Sequence, residues 1–474
     1  MLKEPGRGGR PYLDAGIWPE PAERIDDGYL SRGVTETVSG NVKRNRRHWA
    51  HGNTEGRAFR RTRLKPRPTS IIQDLRVGRP FRAAVDGVGI ISTMSGLLEF
   101  CRAREDWLIE AIEQLASKES PSLDKAAADR CGRQLVDQLR QLGADVGLVA
   151  QQAVGDVVIA DFGTGSRQVL LLGHYDTVWP VGTLAQMPVE RRDGRVFGPG
   201  VLDMKAGLGI AMLAACAAVQ CGASRDTRLR LLITSDEEIG SGASRALVER
   251  EARGSIAVLV LEPSLPGGAL KTGRKGVGEF VIETTGVAAH AGVDPGAGAS
   301  AILELAHQIL AVQRLADPSC GTTVNVGVID GGTRVNVVAE RARAVVDVRV
   351  TTAAEAERMS RALAGLVASI SGTTVSVRGG FNRPPMERGP HIAAIFATAS
   401  EAASELGLTL TEGSTGGASD GNFTAALGIP TLDGLGAVGE GPHARHEHVV
   451  LDALVPRAAL VASVIERLAR APVR

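Results

Sequence analysis

The sequence predicts an α/β protein in which one discontinuous domain is interrupted by a smaller β-α-β-β-α-β unit. Three observations predict it. Short apolar runs at 156–161, 169–173, 229–234 and 256–261 alternate with helical spacing, the pattern of a largely parallel, buried sheet. The stretch 271–381 instead reads strand, helix, strand, strand, helix, strand, which is the ferredoxin-like order. From about residue 391 the chain returns to alternating helix and strand.

The elements follow in order. Over 97–116 the apolar positions Leu97, Leu98, Cys101, Leu108, Ile112 and Leu115 recur at helical spacing. Glu119-Ser120-Pro121-Ser122 breaks the pattern. A second helix is predicted over 124–142, with Gly143 as its stop. A third, Ala-rich, covers 206–220. Inside the insert, strands are predicted at 276–284, 322–328, 341–350 and 373–377, with helices at 300–315 and 353–370. The expected organisation is a basic leader over 1–93, a first part of the larger domain over 94–270, the insert over 271–381 and a second part over 382–474.

Composition narrows the class. Hydrophobic residues are 43% and charged residues 23%, as in ordinary globular chains. The sequence has no run of 18 or more apolar residues, so no membrane-spanning helix is expected. Aromatics are 3%, too few for a platform that stacks bases. Five cysteines without a C-x-x-C pair speak against a disulfide scaffold or a thiolate metal site and for a reducing, cytoplasmic setting. The net charge of +1 hides an asymmetry: residues 1–93 hold 18 Lys and Arg against 10 acids, and the rest 36 against 43. The basic excess peaks between Lys43 and Arg67, where His48 and His51 also lie. A basic arm for nucleic acid, a disordered leader and a translation start at Met94 all account for it. The last is favoured, because regular patterning begins directly after Met94. With the body net negative, no nucleic-acid partner is expected.

Candidate chemistry sits at the ends of the apolar strands, where ligands gather in open α/β sheets. The run 169–173 leads into His174-Tyr175-Asp176, a histidine suited to a metal with a carboxylate two residues on to fix its tautomer. Gly198-Pro199-Gly200-Val201-Leu202-Asp203 is a glycine-rich turn that delivers one acid to a helix start. Asp203 reads as an N-cap or as a carboxylate bridging two cations. The run 229–234 ends in Asp236-Glu237-Glu238. These acids read as solvated helix-start residues, or as a pair in which Glu238 binds metal and Glu237 is a general base. The run 256–261 ends in Glu262. Late in the chain come His443, His446 and His448. His/carboxylate donors without cysteine suit Zn²⁺, with Mn²⁺ or Co²⁺ as alternatives, and five donors suit two ions sharing a carboxylate.

The ordered motifs GHYDTV, GPGVLDMKAG, TSDEEIGS, LEP, AHAG, GGTRVNVV, DVR, GGASDGNF and GPHARHEHV resemble the aminoacylase/carboxypeptidase family of dinuclear zinc hydrolases, in particular its glutamate carboxypeptidase branch. The resemblance covers 94–474. It implies a discontinuous α/β zinc-hydrolase catalytic domain with an inserted ferredoxin-like dimerisation domain, and two Zn²⁺ per subunit of a homodimer.

Carried onto this sequence, the resemblance implies that His174 and Glu262 hold one zinc, Glu238 and His443 the other, and Asp203 both. Asp176 would orient His174, and Glu237 would be the general base. His290 would stabilise the developing oxyanion in the partner's site. Asn336 and Arg349 would bind substrate, the arginine through its free carboxylate. Of the three late histidines, His443 matches best and His446 is its rival. The loop with Asp420 and Asn422 is expected to face the substrate. His307 is expected to be structural, and His391 to lie in a loop or at a helix start. The implied reaction is hydrolysis of an amide bond that releases a C-terminal amino acid, from a small peptide or from an N-acyl amino acid. The alternative from another class, a noncatalytic zinc-binding interaction protein, is disfavoured because the base is present.

Overall fold

The structure, a computed structural model, describes residues 94–471 apart from 224 and 225. The expected basic leader, with His48 and His51, lies outside the described residues. The main sheet has six strands in the order Asp145–Val149, Val157–Phe162, Thr227–Thr234, Arg167–His174, Ala257–Val260 and Thr431–Leu432. Its centre is parallel: Arg167–His174 pairs in register with Thr227–Thr234 on one side and with Ala257–Val260 on the other. Every residue of the central strand after Arg167 is buried. Because these three strands run the same way, their carboxyl ends share one edge. His174, Asp236-Glu237-Glu238 and Glu262 all follow from that edge.

The helix Ala206–Gln220 is apolar all round, which is stable only when both faces are covered. It is buried through Ala218 and packs against Leu451–Arg470 and Glu105–Ala116. By length and composition the stretch Val201–Gln220 is apolar enough to cross a membrane, but it is the core helix of this domain.

The insert carries a second sheet, ordered Thr323–Gly331, Arg341–Val350, Gly276–Thr285 and Thr374–Arg383, with antiparallel neighbours throughout. The helices Ala301–Gln313 and Ala353–Ala364 supply the two α elements of the ferredoxin-like order. Alternate residues of Arg341–Val350 are buried, and Val346 and Val348 pack with Phe280, Leu305, Met359 and Leu363 in a core of their own.

Among the described residues, the structure departs from the sequence reading at several elements. The first helix is two, Met94–Arg102 and Glu105–Ala116, because Arg104 leaves helical geometry and Glu105 and Asp106 open a new first turn. The helix expected over 353–370 stops at Ala364, where Gly365 caps it. The last strand of the insert runs on to Arg383. Leu270–Arg274 and Glu412–Thr415, not expected as strands, pair in parallel beside the main sheet.

Candidate active site

Asp203 is the hinge of the site. Its turn is held by Glu447, a fully buried carboxylate that accepts from the backbone N–H of Gly200, Leu202 and Asp203 at 3.0, 2.9 and 3.0 Å, and from the Trp179 indole at 3.0 Å. So anchored, Asp203 presents Oδ1 to His174 Nε2 at 3.3 Å and Oδ2 to His443 Nε2 at 3.3 Å. Glu262 Oε1 lies 3.4 Å from His174 Nε2, and Glu238 Oε1 lies 3.2 Å from His443 Nε2. Two donor sets of three thus share one carboxylate.

These spacings bear on whether cations fit. A tetrahedral zinc with ligands at about 2.0–2.1 Å separates neighbouring donor atoms by about 3.3–3.4 Å. The His174 Nε2 atom is buried and makes no hydrogen bond, an unusual state for a ring nitrogen unless an ion completes it. His174, Asp203 and Glu238 each offer a donor atom within 4.8 Å of the others. His443 sits at φ 61°, a strained value for a non-glycine residue.

Electrostatics point the same way. Burial opposes charge on His174, yet Asp176, Asp203 and Glu262 push its pKa well above the usual range. Asp203 and Glu238 raise His443 to about 10. Burial works against ionisation of Asp203, but the two imidazoles hold it well below the ordinary carboxylate range. Burial raises Glu238. Burial and Asp203 also oppose ionisation of Glu262, but Arg274, His174 and Lys271 outweigh them and lower its pKa. The cluster draws positive charge, which divalent cations supply in exchange for protons.

Asp176 is fully buried and does two jobs. Its carboxylate stands 3.3 Å from His174 Nδ1. It also accepts from Ser122 Oγ at 2.6 Å and from the backbone N–H of Glu237 and Glu238 at 3.3 and 3.2 Å. One carboxylate therefore orients the histidine and fixes the Glu-Glu pair. Glu237 is largely buried, and burial pushes its pKa well up, with Arg383 opposing. Arg383 lies 2.9 Å from Glu237 Oε1 and donates to the Glu237 carbonyl at 2.9 Å. Asp236, the third acid, is spent on the Ala243 and Ser244 amides.

A cavity of about 440 Å³ opens over this cluster, lined by Asp203, Glu237, Glu238, Glu262 and His443 on one side and by Lys271 and Arg274 on another. Arg349 stands at the loop bordering it, donating to the Gly416 carbonyl at 2.9 Å and pairing with Asp347 at 3.0 Å. His290 and Asn336 lie in the insert on adjoining exposed loops, joined by the Ala291 N–H to the Asn336 carbonyl at 3.0 Å. His290 Nδ1 accepts from the Gly292 and Val293 amides at 3.1 and 3.1 Å, which puts the ring proton on Nε2. Among the described residues, no hydrogen bond or ion pair joins His290 or Asn336 to the acidic cluster.

Two expectations are corrected. Asp420 and Asn422 do not face the cavity. Asp420 is 3% exposed and takes Arg383 at 2.7 Å, Thr234 Oγ1 at 3.2 Å and the Ser241 hydroxyl. Asn422 is fully buried and donates to the Lys275 and Pro384 carbonyls. Both brace the joint between insert and catalytic domain. His307, expected as structural, is exposed on its helix, and His391 lies in the first turn of Pro390–Glu405. His446 is exposed and makes no contact with the cluster among the described residues, while buried His448 stacks at 5.1 Å on Phe197.

Sequence reasoning missed Glu447 as the anchor of Asp203 and Arg383 as the partner of Glu237. Glu447 carried a signal, since it follows His443 closely in the late motif. Arg383 carried none, being a single arginine at the end of a strand 146 residues from its partner.

The chain is similar to known proteins. The family model for peptidase family M20/M25/M40 matches residues 170–467. The chain is 28% identical to carboxypeptidase G2 of a Pseudomonas species over 76% of its own length and 88% of that protein. It is 30% identical to succinyl-diaminopimelate desuccinylase of Paracoccus denitrificans over 70% of its length and 91% of that protein. Its fold is that of a dinuclear metal-binding peptidase from Bacillus subtilis, at a TM-score of 0.58 and 18% identity, over 77% of this chain and 98% of the other. The chain belongs to peptidase family M20/M25/M40 and is a metal-dependent hydrolase of amide bonds.

Proposed function

We propose that the protein is a two-metal exopeptidase or N-acyl-amino-acid hydrolase that releases the residue carrying the free carboxylate. One observation carries the reading: Asp203 turns one oxygen to each of His174 and His443, with Glu237 fixed beside Glu238 as a base. Divalent cations held at the two donor sets would supply Lewis acidity for the scissile carbonyl and would lower the pKa of a water toward neutral. His174, Asp203 and Glu262 would hold one cation, and Glu238, Asp203 and His443 the other, with zinc the ion favoured by this donor set.

The protein's own residues do the rest. Glu237 takes the proton of the attacking water and returns it to the leaving amine. Arg383 keeps its carboxylate in place from one side, and Asp176 keeps its backbone in place from the other. Arg349 receives the substrate's terminal carboxylate at the cavity rim, exchanging its contact with Asp347 for the ligand. A reducing compartment suits the five unpaired cysteines. The test compares an N-acyl amino acid or dipeptide bearing a free C-terminus with its C-terminal amide. The free acid is expected to be cleaved and the amide to lose at least about 10-fold in kcat/KM, the effect of losing one charge-assisted hydrogen-bonded contact. Equal cleavage of both would reject the exopeptidase assignment.

The active unit in this reading is a homodimer. Helix Ala301–Gln313 exposes Ile302, Leu303 and Leu310, and the edge strand Thr323–Gly331 exposes Val328 and Ile329. Such an apolar edge invites a second copy. His290 then reaches the partner's site and donates from Nε2 to the developing oxyanion. His290→Ala should lower kcat without changing metal content. Mixed with Glu237→Gln under subunit exchange, it should regain activity, because one site of each heterodimer holds both wild-type groups. A mixture that exchanges subunits and stays inactive would place His290 in cis or outside the reaction.

A further inference from the structure

Arg457 is a buried cation without an anion. It lies on the helix Leu451–Arg470, 5% exposed, and makes no ion pair among the described residues. Burial pushes its pKa down, to about 10, so it stays charged at neutral pH. A buried charge is costly unless hydrogen bonds compensate it. Here three backbone carbonyls do. Nε donates to Gly436 at 2.9 Å, Nη1 to Gly268 at 2.8 Å, and Nη2 to Gly434. The planar fork thus ties together the loop 433–437 and the turn Pro266–Gly268.

That loop is what holds Glu262 once the chain has left its strand. The Glu262 carbonyl accepts from the Gly436 N–H at 2.9 Å, and the Ser264 N–H donates to the Ala437 carbonyl at 3.0 Å. The Glu262 side chain reaches the same loop through Arg274, which takes Oε2 at 3.1 Å and grips Asp433 with two bonds of 2.8 and 2.8 Å. The loop is not stiff by itself. Gly434 sits at φ 78°, and a Cβ at Gly436 would stand 2.1 Å from the Leu261 carbonyl oxygen, so both must be glycine, the residue with most backbone freedom to lose. Arg457 fixes both of their carbonyls. The other donors are anchored elsewhere. His174 ends a strand paired in register, Asp203 hangs on Glu447, and the Glu238 N–H on Asp176. His443 follows Gly439–Glu440, which pairs with His448–Val450.

We propose that Arg457 is a positioning residue for Glu262, which tunes the cation site of His174 and Glu262 and leaves that of Glu238 and His443 alone. The proposal rests on the two-cation reading above. Arg457 makes no hydrogen bond to a donor side chain among the described residues, so it acts through the loop.

Zinc affinity, measured against a competing chelator, tests it one site at a time. In a Glu238→Gln background the remaining ion sits with His174 and Glu262, and adding Arg457→Met should weaken it about 10- to 100-fold, as for loss of a group that orients a ligand. In a Glu262→Gln background the remaining ion sits with Glu238 and His443, and the same change should move it by less than about threefold. Arg457→Lys, which keeps the charge should methionine fail to fold, should give a smaller loss with the same selectivity. Hydrogen exchange of the metal-free protein adds a readout that needs no ion. The Gly436 and Ser264 amides should exchange at least about 10-fold faster in the variant, and those of Leu202 and Glu238 at the wild-type rate. Equal weakening of both sites, or of neither, would overturn the role of Arg457 and leave the two-cation reading standing. Selectively faster exchange at Gly436 and Ser264, in a protein whose wild type binds no pair of ions, would sustain the tie to Glu262 and defeat the two-cation reading.

Discussion

Glu237→Gln is expected to lower kcat by about 10²- to 10⁴-fold, the range for loss of a positioned general acid–base group. Metal content and melting temperature should stay close to wild type. The side chain keeps its length, and its oxygen can still accept from Arg383, which lies 2.9 Å from Oε1. The backbone N–H that Asp176 accepts is untouched. What the amide lacks is the basic site that takes a proton from water. The neighbouring Glu238→Gln should do the reverse, because Glu238 Oε1 faces His443 Nε2 at 3.2 Å in the second donor set. It should weaken binding of one metal first and lose activity through that loss. Metal analysis alongside turnover separates the two. Exchanged phenotypes would reverse the roles within the Glu-Glu pair.

Asp203→Ala is expected to remove both metals and all measurable turnover. Each of its oxygens serves a different histidine, at 3.3 Å in both cases, so neither donor set stays complete. The loss should not be read as misfolding, because Glu447 still accepts from the Gly200 and Leu202 amides and the turn keeps its anchor. In the metal-free protein the Asp203 carboxylate also pairs with both imidazoles, which hold its pKa well down, so its removal should lower the melting temperature of the metal-free protein. Elemental analysis with a thermal melt of metal-free protein checks both halves. Full metal content in this variant would contradict a shared ligand.

The acidic cluster was legible because its residues end apolar runs. Parallel strands have a common carboxyl edge, so His174, Glu237, Glu238 and Glu262 had to meet if the runs at 169–173, 229–234 and 256–261 were neighbours in one sheet. They are neighbours. The insert was legible for a similar reason: alternation such as that of Arg341–Val350 marks a sheet with one covered face. What escaped was non-local. Leu270–Arg274 reads as a polar stretch with Lys271, Gly273 and Arg274, and only pairing with Glu412–Thr415 makes it a strand. Asp420 and Asn422 look like a solvent-facing Gly/Asp/Asn turn until Arg383 and the Lys275 and Pro384 carbonyls arrive from other elements to bury them. Arg383 itself has meaning only through what it touches. No spacing rule links the end of one strand to a carboxylate in another domain.

The central claim is a pair of cations sharing Asp203, and anomalous scattering from crystals of the zinc-loaded protein tests it most directly. The account predicts two peaks at the zinc edge, one on each side of the Asp203 carboxylate. His174 and Glu262 should flank the first, and Glu238 and His443 the second. A single peak, or two peaks of which neither touches Asp203, would contradict it.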